Sequence, residues 1–255
     1  MRKIVVTIFS IILLLTVCVG MTSSEYQKMY VETFTPEVID KPLLNEMFLE
    51  PEVIEESVVE EIPHVYDGTV YLTFDDGPVP SITPQILDTL KAYNVKATFF
   101  MLGSYAKKNP EIVKRAYDEG HTIATHSYSH QKSMFNSLDK FKNEIETSVA
   151  VLEEITGEKV KYFRIPYGTS IKQSFKDYLE NCGLTIVKWN CESYDSRVNT
   201  KTPEQILEGV KSTLPKNKDA IVIMHDTYGK QKTADALPSV IEYFNSINYE
   251  FKRFE

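Results

Sequence analysis

The sequence is poor in cysteine, with three in 255 residues, and this limits how the fold can be stabilised. Cys182 and Cys191 bracket the segment GLTIVKWN, whose composition is typical of a β-strand. An extended chain of that length separates their Cα atoms by roughly 30 Å, whereas a disulfide needs Cα atoms within about 7 Å. We therefore expect these two cysteines not to pair, and the hydrophobic core to stabilise the domain.

A basic surface is also lacking. The net charge is −8, and the acidic excess is concentrated in residues 22–66, which contain eleven acidic residues and only two lysines. The chain from residue 67 onward is nearly neutral and contains no nucleic-acid-binding motif, so we expect no nucleic acid among its partners. No G-x-G-x-x-G follows the first predicted strand, and this disfavours an open dinucleotide-binding sheet.

The N-terminus carries an export signal. Arg2 and Lys3 precede an apolar run over 4–20, the pattern of a charged region followed by a hydrophobic region. No clear cleavage site follows, and Cys18 lies in a poor match to a lipoprotein box. We interpret residues 1–21 as a signal peptide or, preferably, an uncleaved signal anchor.

Residues 22–66 contain four prolines and the acidic excess, without a sustained amphipathic period. This composition is typical of an extended linker. Short apolar pieces within it could dock on the domain or on a partner. Residues 67–255 are then the exported domain.

Strand and helix patterns alternate from residue 67 onward. The predicted strands are TVYLTF, VKATFFML, HTIATH, KYFRIP, LTIVKWN and DAIVIMH, with YEFKRF at the end. About seven βα units indicate an α/β fold with a parallel sheet and outer helices. We predict a distorted (β/α) barrel of about seven parallel strands, in which chemistry gathers at the carboxyl ends of the strands.

Residues capable of acid–base or metal chemistry fall at that predicted rim. They are Asp75 and Asp76 after the first strand, His126 and His130 after the third, Arg164 at the fourth, Asp195 after the fifth, and His225 at the end of the sixth. Strand ends that share one rim bring such residues together, so a common site is expected.

The two histidines of HSYSH could share a metal if a helical turn places both on one face. Ser127 occupies the position where a helical zinc protease has glutamate, so that motif is excluded. One of Asp75 and Asp76 could complete the metal site while the other serves as base, with strand alternation keeping them apart. The alternatives are carboxylates that cap an Asp-Gly turn, two surface histidines, and an iron site of the two-His-one-carboxylate type.

Five ordered motifs resemble one known family. They are TFDDGP at 73–78, KATFFMLG at 96–103, EGHTIATHSYSH at 119–130, FRIPYG at 163–168 and IVIMHD at 221–226. In these residues the chain resembles the polysaccharide deacetylases of carbohydrate esterase family four, the NodB-homology domain. The resemblance runs from about residue 71 to residue 226.

The resemblance implies a divalent metal, usually zinc, with Co²⁺, Ni²⁺ or Mn²⁺ as alternatives. Asp76, His126 and His130 would bind it. Asp75 would be the general base. Arg164 would pair with Asp75 and hold it ionised, because a nearby cation lowers the pKa of a carboxylate.

The resemblance also implies the rest of the machinery. The Tyr167 backbone N–H would help to stabilise the oxyanion, and His225 would protonate the leaving amine. Asp195 would orient His225 and favour its protonated form. Ile223 would line the pocket for the acetyl methyl group.

The fourth family motif, D-x-x-D-W, is altered here to ESYDS at 192–196. Ser196 therefore occupies the position of a tryptophan that forms a groove wall. The single tryptophan, Trp189, is expected to pack in the core or below the rim. Either the groove is open at Ser196, or an aromatic such as Tyr194 or Tyr228 fills the gap.

These features predict an exported, membrane-tethered deacetylase of N-acetylglucosamine residues in a cell-surface glycan, with peptidoglycan as first choice. N-acetylmuramic acid, chitin oligomers and poly-N-acetylglucosamine are alternative substrates, and a glycan-binding pseudoenzyme is an alternative of another class. We expect a monomer at the outer face of the membrane or in the cell wall. His121 and His64 are assigned no part in the site.

Overall fold

The computed structural model describes residues 65–200, 202–216 and 219–255. The predicted export segment 1–21, nearly all of the predicted linker 22–66, and His64 lie outside the described residues. Among the residues that are described, no helix is long and apolar enough to cross a membrane.

Eight strands, all paired in parallel, alternate with helices along the described chain. The strands are β1 (Gly68–Asp75), β2 (Thr98–Met101), β3 (Thr122–Thr125), β4 (Tyr162–Phe163), β5 (Thr185–Ile186), β6 (Cys191–Glu192), β7 (Ala220–His225) and β8 (Tyr249–Lys252). The α-helices are α1 (Thr83–Ala92), α2 (Gly103–Ala106), α3 (Pro110–Asp118), α4 (Leu138–Thr156), α5 (Gln173–Asn181), α6 (Pro203–Thr213) and α7 (Gln231–Ser246), and Lys132–Asn136 and Pro166–Gly168 are short 3₁₀ turns.

The sheet follows the order β5-β4-β3-β2-β1-β7-β6, and β8 pairs with the first half of β1. The path curls as a half-barrel whose two ends are β5 and β6. On the central strand, Val70, Leu72 and Phe74 are fully buried, and so are Thr73 and Asp75. Burial of both faces is expected for a parallel sheet with helices outside and packed side chains inside. The predicted distorted (β/α) barrel is confirmed.

Local sequence signals set the longer helices. Helix α4 begins after Ser137, whose side chain accepts a hydrogen bond from the Lys140 N–H, and it ends at Gly157 in the left-handed conformation. Helix α6 starts at a capping box formed by Thr202 and Gln205.

The segment LTIVKWN was predicted as one strand, and this prediction is wrong. It contains only the short strand β5 and an irregular segment at 187–190, and β6 begins after it at Cys191. The Val187 N–H donates to the Phe163 carbonyl beside β4, whereas the Asn190 N–H donates to the Ile221 carbonyl of β7. The segment changes partners from one end of the sheet to the other, so no continuous ladder forms. The flanking Cys182 and Cys191 are both free, as predicted.

Strand register aligns the ends that carry the polar residues. Asp75 at the end of β1 lies opposite His225 at the end of β7, and opposite Phe100 of β2. Thr125, which precedes His126, lies opposite Phe163 of β4. The residues that follow these strands therefore meet at one rim.

Candidate active site

Asp75 and Asp76 diverge because the backbone changes conformation between them. Strand β1 ends at Asp75, and Asp76 has a φ of 73°. Strand alternation, the predicted cause, does not separate them. The following turn is held by Asp226, whose Oδ1 accepts from the Gly77 N–H at 3.0 Å. A Cβ at Gly77 would lie 2.0 Å from Asp226 Oδ2, so only glycine fits here. Asp226, rather than either carboxylate of the pair, caps the turn.

A buried ion pair fixes Asp75. Arg164 Nη1 donates to Asp75 Oδ1 at 2.8 Å and to Thr73 Oγ1 at 2.7 Å. Its Nε donates to the Val187 carbonyl at 3.4 Å, and its guanidinium carbon lies 4.0 Å from the centre of the Phe100 ring. Both charged side chains are almost completely buried. The carboxylate is thereby held in one orientation.

The pKa of Asp75 is raised above its ordinary value. Burial raises it most, while the charges of Arg164 and His225 lower it. Arg164 thus acts in the direction that the family resemblance implies, but burial outweighs it. A carboxylate with a raised pKa accepts a proton more readily than an exposed one.

Asp76, His126 and His130 form a possible metal-binding triad, and their ligand atoms lie within 4.8 Å of one another. Asp76 Oδ1 is 3.6 Å from His126 Nε2 and 3.5 Å from His130 Nε2. Two ligands of a tetrahedral ion at about 2.1 Å are separated by roughly 3.4 Å, so the spacing fits a divalent cation. Asp76 Oδ1 is also buried without a hydrogen-bond partner among the described residues. A cation would satisfy it.

His126 is arranged as a neutral ligand. Its Nδ1–H donates to the Arg164 carbonyl at 2.8 Å, which leaves the lone pair on Nε2 directed to the triad. Burial lowers the pKa of His126 to about 3, so the ring is uncharged at neutral pH. Arg164 therefore supports Asp75 through its side chain and His126 through its backbone.

The loop between the two histidines is not the predicted helical turn. Ser127 and His130 have φ values of 72° and 57°. Glu144 on α4 holds the loop, because its carboxylate accepts from the Tyr128 N–H at 3.0 Å, the Ser129 N–H at 2.7 Å and the Ser129 hydroxyl at 2.6 Å. A helix surface residue thus sets the separation of the two imidazoles.

Tyr167 lies in a tight turn after β4, with a φ of 63°. Its hydroxyl donates to the His130 carbonyl at 2.6 Å, and the two rings are 4.4 Å apart. The side chain is half exposed and covers one side of the triad.

His225 and Asp195 form a second polar pair across the rim. His225 Nδ1–H donates to Asp195 Oδ1 at 2.7 Å, and the His225 backbone N–H donates to Oδ2 at 2.7 Å. The Thr233 hydroxyl also donates to Oδ2, and Lys230 Nζ donates to the Asp195 carbonyl. Because Nδ1 is occupied, Nε2 of His225 is the nitrogen available to a substrate.

Burial alone would disfavour a charge on His225. The adjacent Asp195 carboxylate outweighs it through charge and hydrogen bonding, so the pKa of His225 is raised to about 9. Burial likewise disfavours charge on Asp195, but His225 and Lys230 lower its pKa. The pair is charged at neutral pH.

These side chains surround one pocket of about 300 Å³. It is lined by Asp75, Asp76, His126, His130, Ile165, Tyr167, Gly168, Trp189, Glu192, Asp195, Ser196, Ile223 and His225. Every predicted site residue is in this lining except Arg164, which is fully buried against Asp75.

Trp189 lines this pocket and is half-buried, so its predicted place in the core or below the rim is wrong. It leaves the core because the segment 187–190 crosses between the two ends of the sheet. Tyr194 and Tyr228 do not line the pocket. The Tyr194 ring packs 3.4 Å from the guanidinium carbon of Arg197, and Tyr228 packs edge-on against another tyrosine.

Sequence reasoning missed four supporting residues. They are Thr73, Phe100, Glu144 and Asp226. Asp226 lies in the motif IVIMHD at 221–226, and burial raises its pKa to about 7. No sequence pattern indicates a role for Glu144, because that role depends on how α4 packs against the histidine loop. His121 lies at the amino end of β3, where its Nδ1 accepts from the Ala97 N–H.

Known proteins are similar to this chain in sequence and fold. A family model described as polysaccharide deacetylase matches residues 64–187. The peptidoglycan-N-acetylglucosamine deacetylase PgdA of Listeria monocytogenes is 38% identical over 197 residues, which are 76% of this chain and 40% of that protein. A peptidoglycan-N-acetylglucosamine deacetylase of Bacillus cereus is 37% identical over 193 residues, 72% of this chain and 68% of that protein.

The fold agrees with these sequence matches. The crystal structure of the Bc1960 peptidoglycan N-acetylglucosamine deacetylase superposes with a TM-score of 0.69 at 34% identity, covering 74% of this chain and 88% of that one. This chain spans only about 40% of the length of the Listeria relative. Sequence and fold give the same assignment. The chain belongs to the polysaccharide deacetylase family, carbohydrate esterase family four.

Proposed function

We propose that the protein is a metal-dependent hydrolase that removes acetyl groups from N-acetylglucosamine residues of peptidoglycan. One observation carries the proposal: a single pocket holds a metal-binding triad, a buried carboxylate clamped by arginine, and an imidazole paired with a carboxylate. Two similar proteins and one similar structure are named as deacetylases of this substrate.

Asp76, His126 and His130 would hold the metal, and two imidazoles with one carboxylate suit Zn²⁺, with Co²⁺, Ni²⁺ or Mn²⁺ as alternatives. When bound, such a cation supplies Lewis-acid polarisation of the acetyl carbonyl. Three protein ligands leave open positions, as catalytic sites require.

Asp75 serves as the general base, which accepts a proton from the attacking water. Its raised pKa favours this step, and Arg164, itself held by the Thr73 hydroxyl, keeps the carboxylate in place as it gains the proton. Their contacts exist before the substrate arrives, so no reorganisation is needed.

His225 serves as the general acid, since it is protonated at neutral pH and its Nε2 can donate to the leaving amine. Asp195 holds the ring and stabilises its positive charge. The Tyr167 backbone N–H stabilises the developing oxyanion. Ile223 lines the pocket beside the acetyl methyl group.

We further propose that residues 67–255 are the catalytic domain, 22–66 an acidic linker, and 1–21 a signal peptide or signal anchor. This organisation would hold a monomeric enzyme at the outer face of the membrane, next to the wall, with no nucleic acid partner. Asp75 and His225 provide a base and an acid, and this disfavours a glycan-binding pseudoenzyme.

Acetate release from purified glycans tests the proposal. The panel comprises peptidoglycan, N-acetylmuramic acid-containing fragments, chitin oligomers and poly-N-acetylglucosamine, each with chelator and with added Zn²⁺. We expect release from peptidoglycan that chelation abolishes and zinc restores, and a release reduced by about 10²–10⁴-fold in the Asp75→Asn control. Release from none of the glycans with zinc present would refute the proposal, and preference for another glycan would replace the substrate.

A further inference from the structure

The wall of the pocket formed by 187–196 contains a contact that the metal and acid–base residues do not use. Trp189 Nε1 donates to Glu192 Oε1 at 2.6 Å, and both side chains line the pocket. Both are half-buried, so each presents part of its surface to an incoming molecule.

The indole is fixed on two further sides. A Cβ at Gly168 would lie 2.6 Å from Trp189 Cη2, so the ring packs directly against the backbone of the turn that carries Tyr167. The guanidinium carbon of Arg164 lies 5.7 Å from the centre of the indole ring. A ring held in this way loses little conformational freedom when a ligand binds.

The identity of residue 192 explains how the ring is held. Aspartate, the residue of the family pattern, is one methylene shorter than glutamate. Glu192 reaches back three residues to the indole N–H with one carboxylate oxygen. The same side chain lines the pocket, so its other oxygen can accept a hydrogen bond from a ligand.

Ser196, in the same wall, is small and exposed, and it offers little apolar surface. Neither tyrosine that could replace the missing wall lines the pocket. Trp189 is the aromatic residue that does so alongside Tyr167. Aromatic faces bind sugar rings by burying apolar area, while carboxylates accept hydrogen bonds from hydroxyl groups.

We infer that Trp189 and Glu192 act as a pair that positions the sugar ring: the indole packs against the pyranose, and Glu192 locks the indole and accepts a hydrogen bond from a sugar hydroxyl. The choice of an N-acetylated sugar as the ligand rests on the proposed function. The pair sets substrate affinity and takes no part in proton transfer.

The chain offers a direct optical test, because Trp189 is its only tryptophan. Titrating the Asp75→Asn protein with a soluble N-acetylglucosamine tetramer should change the tryptophan emission in a saturable way. Adding Glu192→Gln should weaken binding by about two- to tenfold, the loss of one charge-assisted hydrogen bond. Glu180→Gln, an exposed substitution on α5 with the same charge change, should leave binding unchanged. Unchanged emission with binding detected by calorimetry would overturn the inference.

Steady-state kinetics distinguish a pair that positions the sugar ring from a pair that only supports Arg164. Trp189→Phe and Glu192→Ala should raise KM for the tetramer by about tenfold, with kcat changed by less than about threefold. Hydrolysis of p-nitrophenyl acetate, which has no sugar ring, should be unaffected. An equal fall in kcat with both substrates would mean that the pair only supports the catalytic residues, which contradicts the inference.

The two proposals can fail separately. Saturable emission changes without acetate release from any glycan would refute the proposed deacetylase and leave a sugar-binding pair. Acetate release by the wild type, with an emission that does not respond to the tetramer, would refute the pair and leave the deacetylase.

Discussion

Two sides of the pocket are built in different ways. The floor, to which the proposed function assigns the metal and the acid–base chemistry, consists of Asp75, Asp76, His126, His130 and His225, and the outer wall consists of Trp189, Glu192 and Ser196. The floor comes from the ends of β1, β3 and β7 and from the residues that follow β1 and β3, and its side chains are buried or partly buried. The wall comes from the chain that crosses from β5 to β6, which carries Trp189, from β6 itself, which carries Glu192, and from the segment after β6, which carries Ser196. In the proposed function the residues at the strand ends carry out the reaction, and the wall sets the fit of the substrate.

Removing a metal ligand should break the floor most severely. His126→Ala deletes one ligand and its hydrogen bond to the Arg164 carbonyl. Changes outside the ligand set typically cost 10–100-fold in metal affinity, so a lost ligand should cost more than about 100-fold in affinity and activity. Metal analysis of the purified protein and acetate release measure both. His64→Ala, from the predicted linker, is the matched control; full metal content in His126→Ala would contradict the triad.

Asp195→Asn should change the pH profile of the floor without disturbing its metal. If His225 is the general acid, as proposed, activity requires its protonated form and falls as pH rises through the pKa of His225, about 9. Removal of the negative charge shifts that pKa toward the ordinary value of about 6.5. The alkaline limb of kcat should therefore move to lower pH by at least about one unit, which is a loss that approaches about tenfold at pH values above the pKa of His225 in the wild type. Asp177→Asn, on exposed helix surface, should leave the limb in place. An unmoved limb in Asp195→Asn would mean that Asp195 does not tune the acid.

Glu144→Ala should loosen the floor from outside the pocket. The histidine loop loses the acceptor of three hydrogen bonds, so metal affinity should fall by about 10–100-fold. Glu144→Gln retains one amide oxygen as acceptor, so its metal affinity should lie between those of the wild type and Glu144→Ala. Competition with a chromogenic chelator measures the affinity. Glu154→Ala, exposed on the same helix, serves as control; equal affinities in both alanine variants would assign the loop geometry to other contacts.

Ser196→Trp should produce the smallest effect and report on the wall. A second aromatic beside the pocket adds apolar contact, so KM for the soluble tetramer should fall by about two- to tenfold, and activity on polymeric glycan should change less. Steady-state kinetics on the two substrates provide the comparison. If the variant loses most of its activity on both the tetramer and the polymer, Trp189 already occupies the space and the groove is closed at Ser196.

The same division explains what the sequence could reveal. The residues of the floor follow predicted strands, and parallel strands place their carboxyl ends at one rim, so their proximity was predictable. The wall was mispredicted because LTIVKWN has strand composition throughout, whereas its two halves pair with opposite ends of the sheet. The role of Glu144 could not be predicted from the sequence, because its partners are backbone N–H groups of a loop that lies about fifteen residues earlier in the chain. The net pKa of Asp75 was also out of reach, since the extent of burial decides it.

The central claim is that two adjacent aspartates perform different tasks. Asp75→Asn and Asp76→Asn make the same chemical change one residue apart, and metal content and turnover should be measured on both proteins purified in parallel. Asp75→Asn should keep the metal content of the wild type and lose about 10²–10⁴-fold in turnover, the usual cost of removing a general base. Asp76→Asn should lose the metal and the activity together. Near-normal turnover in Asp75→Asn, or full metal content in Asp76→Asn, would contradict this account.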